Sequence, residues 1–482
     1  MNAAAVTSEA NLETRAARGA AWTMLSFGGS QLLRLASNLV LSRLLLEEHF
    51  GLMALVNVLL VGLQLFSDVG VGPSIVQHER GDERRFLDTA WTMQVGRGAL
   101  LALVALLFAQ PFAMLYDDPR LAQIVPLAGL TALIAGFNST KLFSASRHLH
   151  VKQLVVVEIG AQLASLVTMV VWAWSSPTVW ALVAGGIVGA ASRAALSHLA
   201  LPGANNRFAW DTGAASSMLH FGRWIFLSTV LTFCVQQSDR LVFGKLIPLE
   251  MLGVYSNAVM LATMPTSALG GLANGVLFPY LSRVQRAGRE LSEVFDRRRE
   301  PLLAAMGWAL SGLAAGGPVI VALLYDARWS EAGWIVQLLA LAGWFAALEI
   351  TNGSLLLASG ESRFVAASGA GKLVGMLALI PLGHHFGGFP GAVAGYAAAE
   401  LLRYAVSFSA VRSRGVAPLA LDARLTLNAA LAIGAGTLAV QLTDTQPAWL
   451  AACAVFVAVS AVWAPRALAL RARWRLAQEQ TA

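Results

Sequence analysis

Apolar residues run along this chain in blocks of about 20, the length that crosses roughly 30 Å of hydrocarbon as an α-helix. Short polar stretches separate the blocks, and almost no length is left for a soluble domain. The pattern predicts an all-α polytopic membrane protein with about 14 transmembrane helices. The expected spans are 20–46, 50–77, 86–115, 120–141, 153–175, 178–200, 221–246, 250–281, 301–325, 331–358, 363–386, 389–411, 424–442 and 447–465.

Slid against itself, the chain matches its first half, about 20–200, to its second, about 222–411. Trp22 falls on Trp224, Gly51 on Gly253, PFAMLYD from Pro111 on PVIVALLYD from Pro318, and Arg193 on Arg403. Each half holds an even number of spans, so both enter the bilayer in the same direction. That predicts two six-helix lobes related by a pseudo-two-fold along the membrane normal, with two C-terminal helices appended. The expected organisation is a cytoplasmic tail (1–19), an N-lobe (20–201), an interlobe cytoplasmic linker (202–220), a C-lobe (221–412), the appended helices (424–465) and a cytoplasmic tail (466–482). The linker's Gly, Pro and Asn content suits a segment that lets the lobes rock, and equally a structured piece lying on the membrane.

Composition agrees: 57% of residues are hydrophobic and 13% charged, more apolar surface than a soluble core hides. The net charge of +7 raises nucleic acid as a partner, but the basic residues sit in short loops between spans. Arg80, Arg84, Arg85, Lys141, Arg147, Lys152, Arg283, Arg286, Arg289, Arg297, Arg298, Arg299, Arg412, Arg414, Arg424, Arg466, Arg471, Arg473 and Arg475 all fall on one side. Glu47, Glu48, Asp117, Asp118, Asp326 and Asp444 fall on the other. By the positive-inside rule both termini are cytoplasmic, and nucleic acid is not the partner. No removable signal peptide is read at the start. Cys234 and Cys453 fall inside spans without metal-ligand spacing and are expected to be packing residues. There is no phosphate-cradling glycine loop, paired metal-spaced Cys or His, or triad, so neither an enzyme nor a bound cofactor is expected.

At 100° per residue, Ser26, Ser30, Arg34, Ser37 and Asn38 share one face of the first span. The repeat-equivalent stripe on the seventh span is Ser228, Thr232, Gln236, Asp239 and Arg240. Two such stripes facing each other would outline a polar cavity. A mid-bilayer charge costs about 2.5 to 3.5 kcal/mol even on the lenient insertion scale, so Arg34 and Arg97 should face water, a partner or a substrate. The plain alternative is that each pairs with an internal carboxylate such as Glu158 or snorkels to an interface. Glu158, Gln162, Ser165 and Thr168 share a face of the fifth span and either line the cavity or bind neighbouring helices. Asp239 beside Arg240, and Glu400 one turn before Arg403, suit structural pairing, while Glu349 and Lys372 receive no role. Asp239 and Glu158 are the candidates for binding a coupling H⁺ or Na⁺. Gly70, Gly72 and Pro73 should break the second span near its cytoplasmic end, with Asp68 capping the piece beyond, either as a bend alone or as part of an inner gate.

Several stretches together resemble a known pattern: GAAW from Gly19 with LSRL from Leu41, FGL from Phe50, FSDVGVGPSIVQ from Phe66, TAWTMQVGRG from Thr89, and Leu252 to Gln285. They look like the bacterial oligosaccharide-lipid flippases of the polysaccharide biosynthesis branch of the multidrug/oligosaccharidyl-lipid/polysaccharide exporter superfamily. The similarity runs across essentially the whole chain. It implies two six-helix lobes in a V shape around a cationic cavity. It also implies export of undecaprenyl-diphosphate-linked oligosaccharide units across the inner membrane for exopolysaccharide, capsule or O-antigen synthesis, beside polymerase and chain-length or export proteins. Arg34 and Arg97 would bind the diphosphate, Arg97 by matching a branch motif and Arg34 by position, and the Ser, Asn and Gln stripes would bind the sugar. A multidrug or cation antiporter of the same superfamily would show uncompensated carboxylates in the first lobe, and a non-transporting scaffold would show large loops or a soluble domain.

The charge asymmetry makes a topology prediction. Reporters fused after Arg85, Arg299 and Arg414 should behave as cytoplasmic, and those after Asp118, Asp326 and Asp444 as periplasmic; a periplasmic signal from the Arg299 fusion would reverse the assignment of sides.

Overall fold

The computed structural model describes residues 28–67, 70–148, 150–416 and 419–479. Its regular elements are helices. The first is α1 (28–44), followed by α2 (Glu47–Phe66), α3 (Val71–Gln77), α4 (Arg84–Tyr116), α5 (Leu121–Gly136), α6 (Lys141–Arg147), α7 (Val151–Ser175) and α8 (Trp180–Leu199). Then come α9 (Thr212–Leu246), α10 (Leu249–Leu272), α11 (Phe278–Arg286), α12 (Leu291–Leu324), α13 (Ala332–Ala358), α14 (Ser362–Arg412), α15 (Leu419–Leu442) and α16 (Ala448–Glu479). Among the described residues nine helices are long and apolar enough to cross a membrane, or up to ten if the bent pair α5 and α6 counts as one span. The chain is a multi-pass membrane protein.

Differences from the expected spans have local causes. Span 50–77 breaks where expected: Gly70 takes a left-handed φ of 67°, which a side chain disfavours, and α3 starts at the next residue. Gly72 and Pro73 lie in the first turn of α3, where a missing N–H goes unnoticed. Asp68 lies outside the described residues. Span 120–141 stops at Gly136 and resumes at a 58° bend as α6. Span 250–281 passes through a π-turn at Ala273–Leu277, immediately before Pro279. Spans 363–386 and 389–411 form one hairpin, α14, broken at Gly387 and Gly388. Its limbs pack so closely that a Cβ on Gly383, Gly391 or Gly395 would lie 2.1 Å from the facing backbone oxygen. Small residues at such crossings are the usual means of helix association in lipid.

The chain divides into two compact units, 1–233 and 234–482. In the first, α4 crosses α5 at glycines: a Cβ on Gly98 would sit 2.7 Å from the Ala132 carbonyl oxygen, and one on Gly136 2.8 Å from that of Gln94. α7 and α8 meet where Gly185 and Gly189 face Met169 and Ser165.

The segment after α8 is strapped to this unit. The N–H groups of Arg207, Ala209 and Asp211 donate to Asp88, Thr92 and Thr89 side chains on α4, each at 3.1 Å. Asn206 bonds Ser139 and Thr140, and Lys141 donates to Asn205 at 2.9 Å. Asp211 then accepts from the N–H of Ala214 at the start of α9. That bond, followed by the Arg80 guanidinium, holds its carboxyl below the usual carboxylate range. Residues 205–211 thus form an ordered strap on this unit.

In the second unit, α15 and α16 pack against α12, and Trp344, Leu425 and Trp463 lie in their shared core. Arg299 on α12 is fully buried. It meets Asp422 on α15 at 2.5 Å, Asn352 on α13 at 3.1 Å and Asp296 at 3.0 Å, and Tyr404 donates to the other oxygen of Asp422 at 2.8 Å. The helix of α16 continues past 465, and Arg466 and Arg473 reach Glu300 at 3.6 and 2.9 Å. Cys234 is half-buried, but Cys453 lies on the exposed face of α16 and is not a packing residue.

Removing one partner of a buried pair leaves the other charge uncompensated. Arg299→Ala should therefore cost about 3–5 kcal/mol and lower the melting temperature in detergent markedly. An unchanged melting temperature would show that Asp422 has another way to be neutralised.

Candidate functional site

The hollow of the first unit is built from small residues on α8 and polar ones on its neighbours. Gly186, Gly189 and Ala190 leave room beside Thr131 and Ala135 of α5, and into that room project Arg34 and Ser37 (α1), Gln64 (α2), Glu158, Gln162 and Ser165 (α7) and Arg193 (α8). The cavity measures about 380 Å³. Two further hollows, about 650 and 270 Å³, adjoin it; Gln94 lines both, and Arg97 lines the smaller. All three share Asn138 and Arg193.

The two arginines expected to bind substrate sit differently. Arg34 is exposed, lines the 380 Å³ cavity and makes no ion pair among the described residues. Arg97 is half-buried next to the Gly98 crossing. It donates from Nε to Ser67 Oγ at 2.9 Å and from Nη2 to the Gln64 carbonyl oxygen at 2.8 Å. Those are the terminal groups of α2, so Arg97 serves the broken end of that helix as well as the hollow, a use of cations at helix C-termini that the dipole favours. Neither arginine pairs with Glu158. Its partner is Arg193, Nη2 to Oε2 at 3.3 Å, and Gln162 donates to Oε1 at 3.1 Å. The side-chain oxygens of Gln94, Asn138 and Gln162 are buried and accept no hydrogen bond among the described residues.

The remaining expected positions divide. Ser37 lines the cavity while its hydroxyl donates to the Leu33 carbonyl oxygen. Ser30 and Asn38 lie on α1 half-buried, outside the lining. Ser26 and the side chain of Ser228 fall outside the described residues. Thr232 and Gln236 are exposed on α9.

In the second unit the polar chemistry is a buried network. Tyr255 donates to Asp239 at 2.9 Å, and Arg240 lies 3.9 Å from the other Asp239 oxygen. Arg403 meets Glu349 at 2.7 Å and Glu400 at 3.8 Å, Ser368 donates to Glu349 at 3.0 Å, and Lys372 pairs with Glu400 beside Tyr396. Glu349 and Lys372, given no role from the sequence, are thus its centre. The expected Glu400–Arg403 contact is present but secondary to Lys372 and Glu349. Arg193 is a further site residue, and the signal for it in the sequence is its repeat position opposite Arg403. No cluster of three or more potential metal ligands occurs among the described residues.

The sequence model of the polysaccharide biosynthesis protein family matches residues 40–333. The chain is 22% identical over 407 residues to the lipopolysaccharide biosynthesis protein WzxC of Escherichia coli K12, covering 83% of this chain and 81% of that protein. It is 23% identical over 345 residues to the teichuronic acid biosynthesis protein TuaB of Bacillus subtilis 168, covering 71% of each. The fold resembles the lipid II flippase MurJ in an inward closed conformation, with a TM-score of 0.72 at 11% identity, over 92% of this chain and 99% of that one. It also resembles an inward-facing multidrug resistance transporter of the MATE family, TM-score 0.65 at 11% identity, over 82% and 95%.

The difference between the two arginines is measurable without any transport assay. Arg97→Ala should lower thermal stability in detergent by about 1 kcal/mol, because the end of α2 loses its charged donor, whereas Arg34→Ala should leave stability unchanged. Equal losses would mean that Arg34 is also held by the packing.

Proposed function

Because the chain belongs to the polysaccharide biosynthesis protein family, we propose that it flips an undecaprenyl-diphosphate-linked oligosaccharide across the bacterial inner membrane by alternating access. It is a transporter and not an enzyme. The observation that carries the reading is a set of adjoining hollows bordered by Arg34, Arg97 and Arg193 and by the side chains of Gln64, Gln94, Asn138 and Gln162. A diphosphate headgroup is too polar to cross hydrocarbon unaided and needs basic donors in a low-dielectric site. Arg34 and Arg97 would hold the phosphates, Arg34 as a group with no competing ion pair among the described residues and Arg97 from beside the α2 break. Gln64, Gln94, Asn138 and Gln162 would meet sugar hydroxyls. WzxC and TuaB are by name proteins of surface-polymer synthesis and MurJ is a lipid II flippase, which supports a lipid-linked sugar as cargo.

In this reading the lobes are 20–201 and 221–412, both termini are cytoplasmic, and product passes to polymerase and chain-length or export proteins. The break at Gly70, Gly72 and Pro73, tied to the hollow through Ser67 and Arg97, is the inner gate. Asp239 is the better placed of the two coupling candidates, since one of its oxygens is buried without a hydrogen bond whereas Glu158 is held by Arg193 and Gln162.

Cells lacking the protein should accumulate the lipid-linked unit in the cytoplasmic leaflet and lose surface polysaccharide. Trapping of outer-leaflet lipid on spheroplasts with a sugar-specific lectin separates blocked flipping from blocked synthesis. In the same assay Asp239→Asn should uncouple export from the ion gradient. Undiminished outer-leaflet lipid in the deletion strain would overturn the reading, and altered drug tolerance in its place would favour the antiporter.

A further inference from the structure

Arg193 borders all three hollows, yet its guanidinium is engaged by a carboxylate. The engagement is slight. One nitrogen approaches one oxygen at 3.3 Å, and the side chains are 48% and 39% exposed. An ion pair of that exposure strengthens its own association by about fivefold at most. The second oxygen of Glu158 already accepts from Gln162, so the carboxylate keeps a hydrogen bond when the arginine leaves it.

The repeat supplies a contrast. Arg403, at the equivalent position of the second unit, sits between Glu349 and Glu400, and these two carboxylates are 2% and 5% exposed. That arginine is locked by two buried carboxylates, while Arg193 is held by one that faces an open hollow. The same position is a structural node in one unit and a releasable contact in the other.

We propose that Arg193 and Glu158 form an internal anion latch. In the unloaded hollow Glu158 occupies the guanidinium; an incoming diphosphate displaces it and takes Arg193 as a further phosphate ligand beside Arg34 and Arg97. A diphosphate outcompetes the carboxylate because it brings more charge and accepts the planar guanidinium fork through two oxygens at once. For release, Glu158 recaptures Arg193 and lowers the affinity of the hollow. The carboxylate is therefore a competitor that keeps binding reversible. The inference rests on the reading of this hollow as a headgroup site.

The test uses the full-length purified chain in detergent with farnesyl diphosphate as the probe, beside export measured in cells. Glu158→Gln removes the competitor and keeps the hydrogen-bonding shape. It should tighten farnesyl diphosphate binding by about two- to fivefold while lowering export, because release loses its driving contact. Arg193→Gln should weaken binding by about tenfold or more, and Arg193→Lys should fall between it and the wild type. A purely structural pair would not give tighter binding together with slower export. If the wild type binds, Arg34→Ala weakens binding, and Glu158→Gln fails to tighten it, the latch is wrong and the headgroup site stands. If the wild-type chain does not bind farnesyl diphosphate, the headgroup site falls and the latch with it.

Discussion

Hydrocarbon gives a charge no water to turn to, and the arrangement of this protein follows from that single constraint. An ionised side chain within the bilayer must be neutralised by a partner or placed where water or a ligand reaches it. The two units answer in different ways. The second pairs its charges: Asp239, Glu349 and Glu400 are matched by Arg240, Arg403 and Lys372, and Asp422 by Arg299. The first leaves cations at the edge of a cavity, where Arg34 has no ion pair among the described residues and Arg193 has a loose one.

This division gives the units distinct physical roles. A network of compensated buried charges tolerates little rearrangement, since moving one member strands another. The second unit also carries α15 and α16, fastened through Arg299 and Glu300, so its polar interior and its appended helices share helix α12. A hollow lined by partly exposed arginines lets their partners exchange at small cost.

Glycine sets where these groups sit. The Gly98 and Gly136 crossing brings α4 against α5 and places Arg97 and Asn138 on the same cavity wall. The TAWTMQVGRG stretch does two jobs within a few turns. Thr89 and Thr92 hold the strap that leads into α9, and Arg97 holds the end of α2. Strap, broken helix and hollow are thus joined through one helix, α4.

The sequence by itself determined the all-helical membrane character, most helix positions and the break near Gly70, because hydrophobic length and helical periodicity are local properties of a chain. It also showed that Arg193 and Arg403 correspond. It did not show which carboxylate each arginine meets: Glu158, which the plain alternative gave to Arg34 or Arg97, belongs to Arg193, while Glu349 and Lys372 carried no stripe and form a buried centre. Nor did it show the strap, since Thr89 and Thr92 look like ordinary helix residues until Ala209 and Asp211 lie against them. Tertiary structure alone decided these points: pairing depends on which helix faces come within about 3 Å of each other. Residues far apart in the chain, on helices with no marked polar face, reveal that proximity only once the helices are packed.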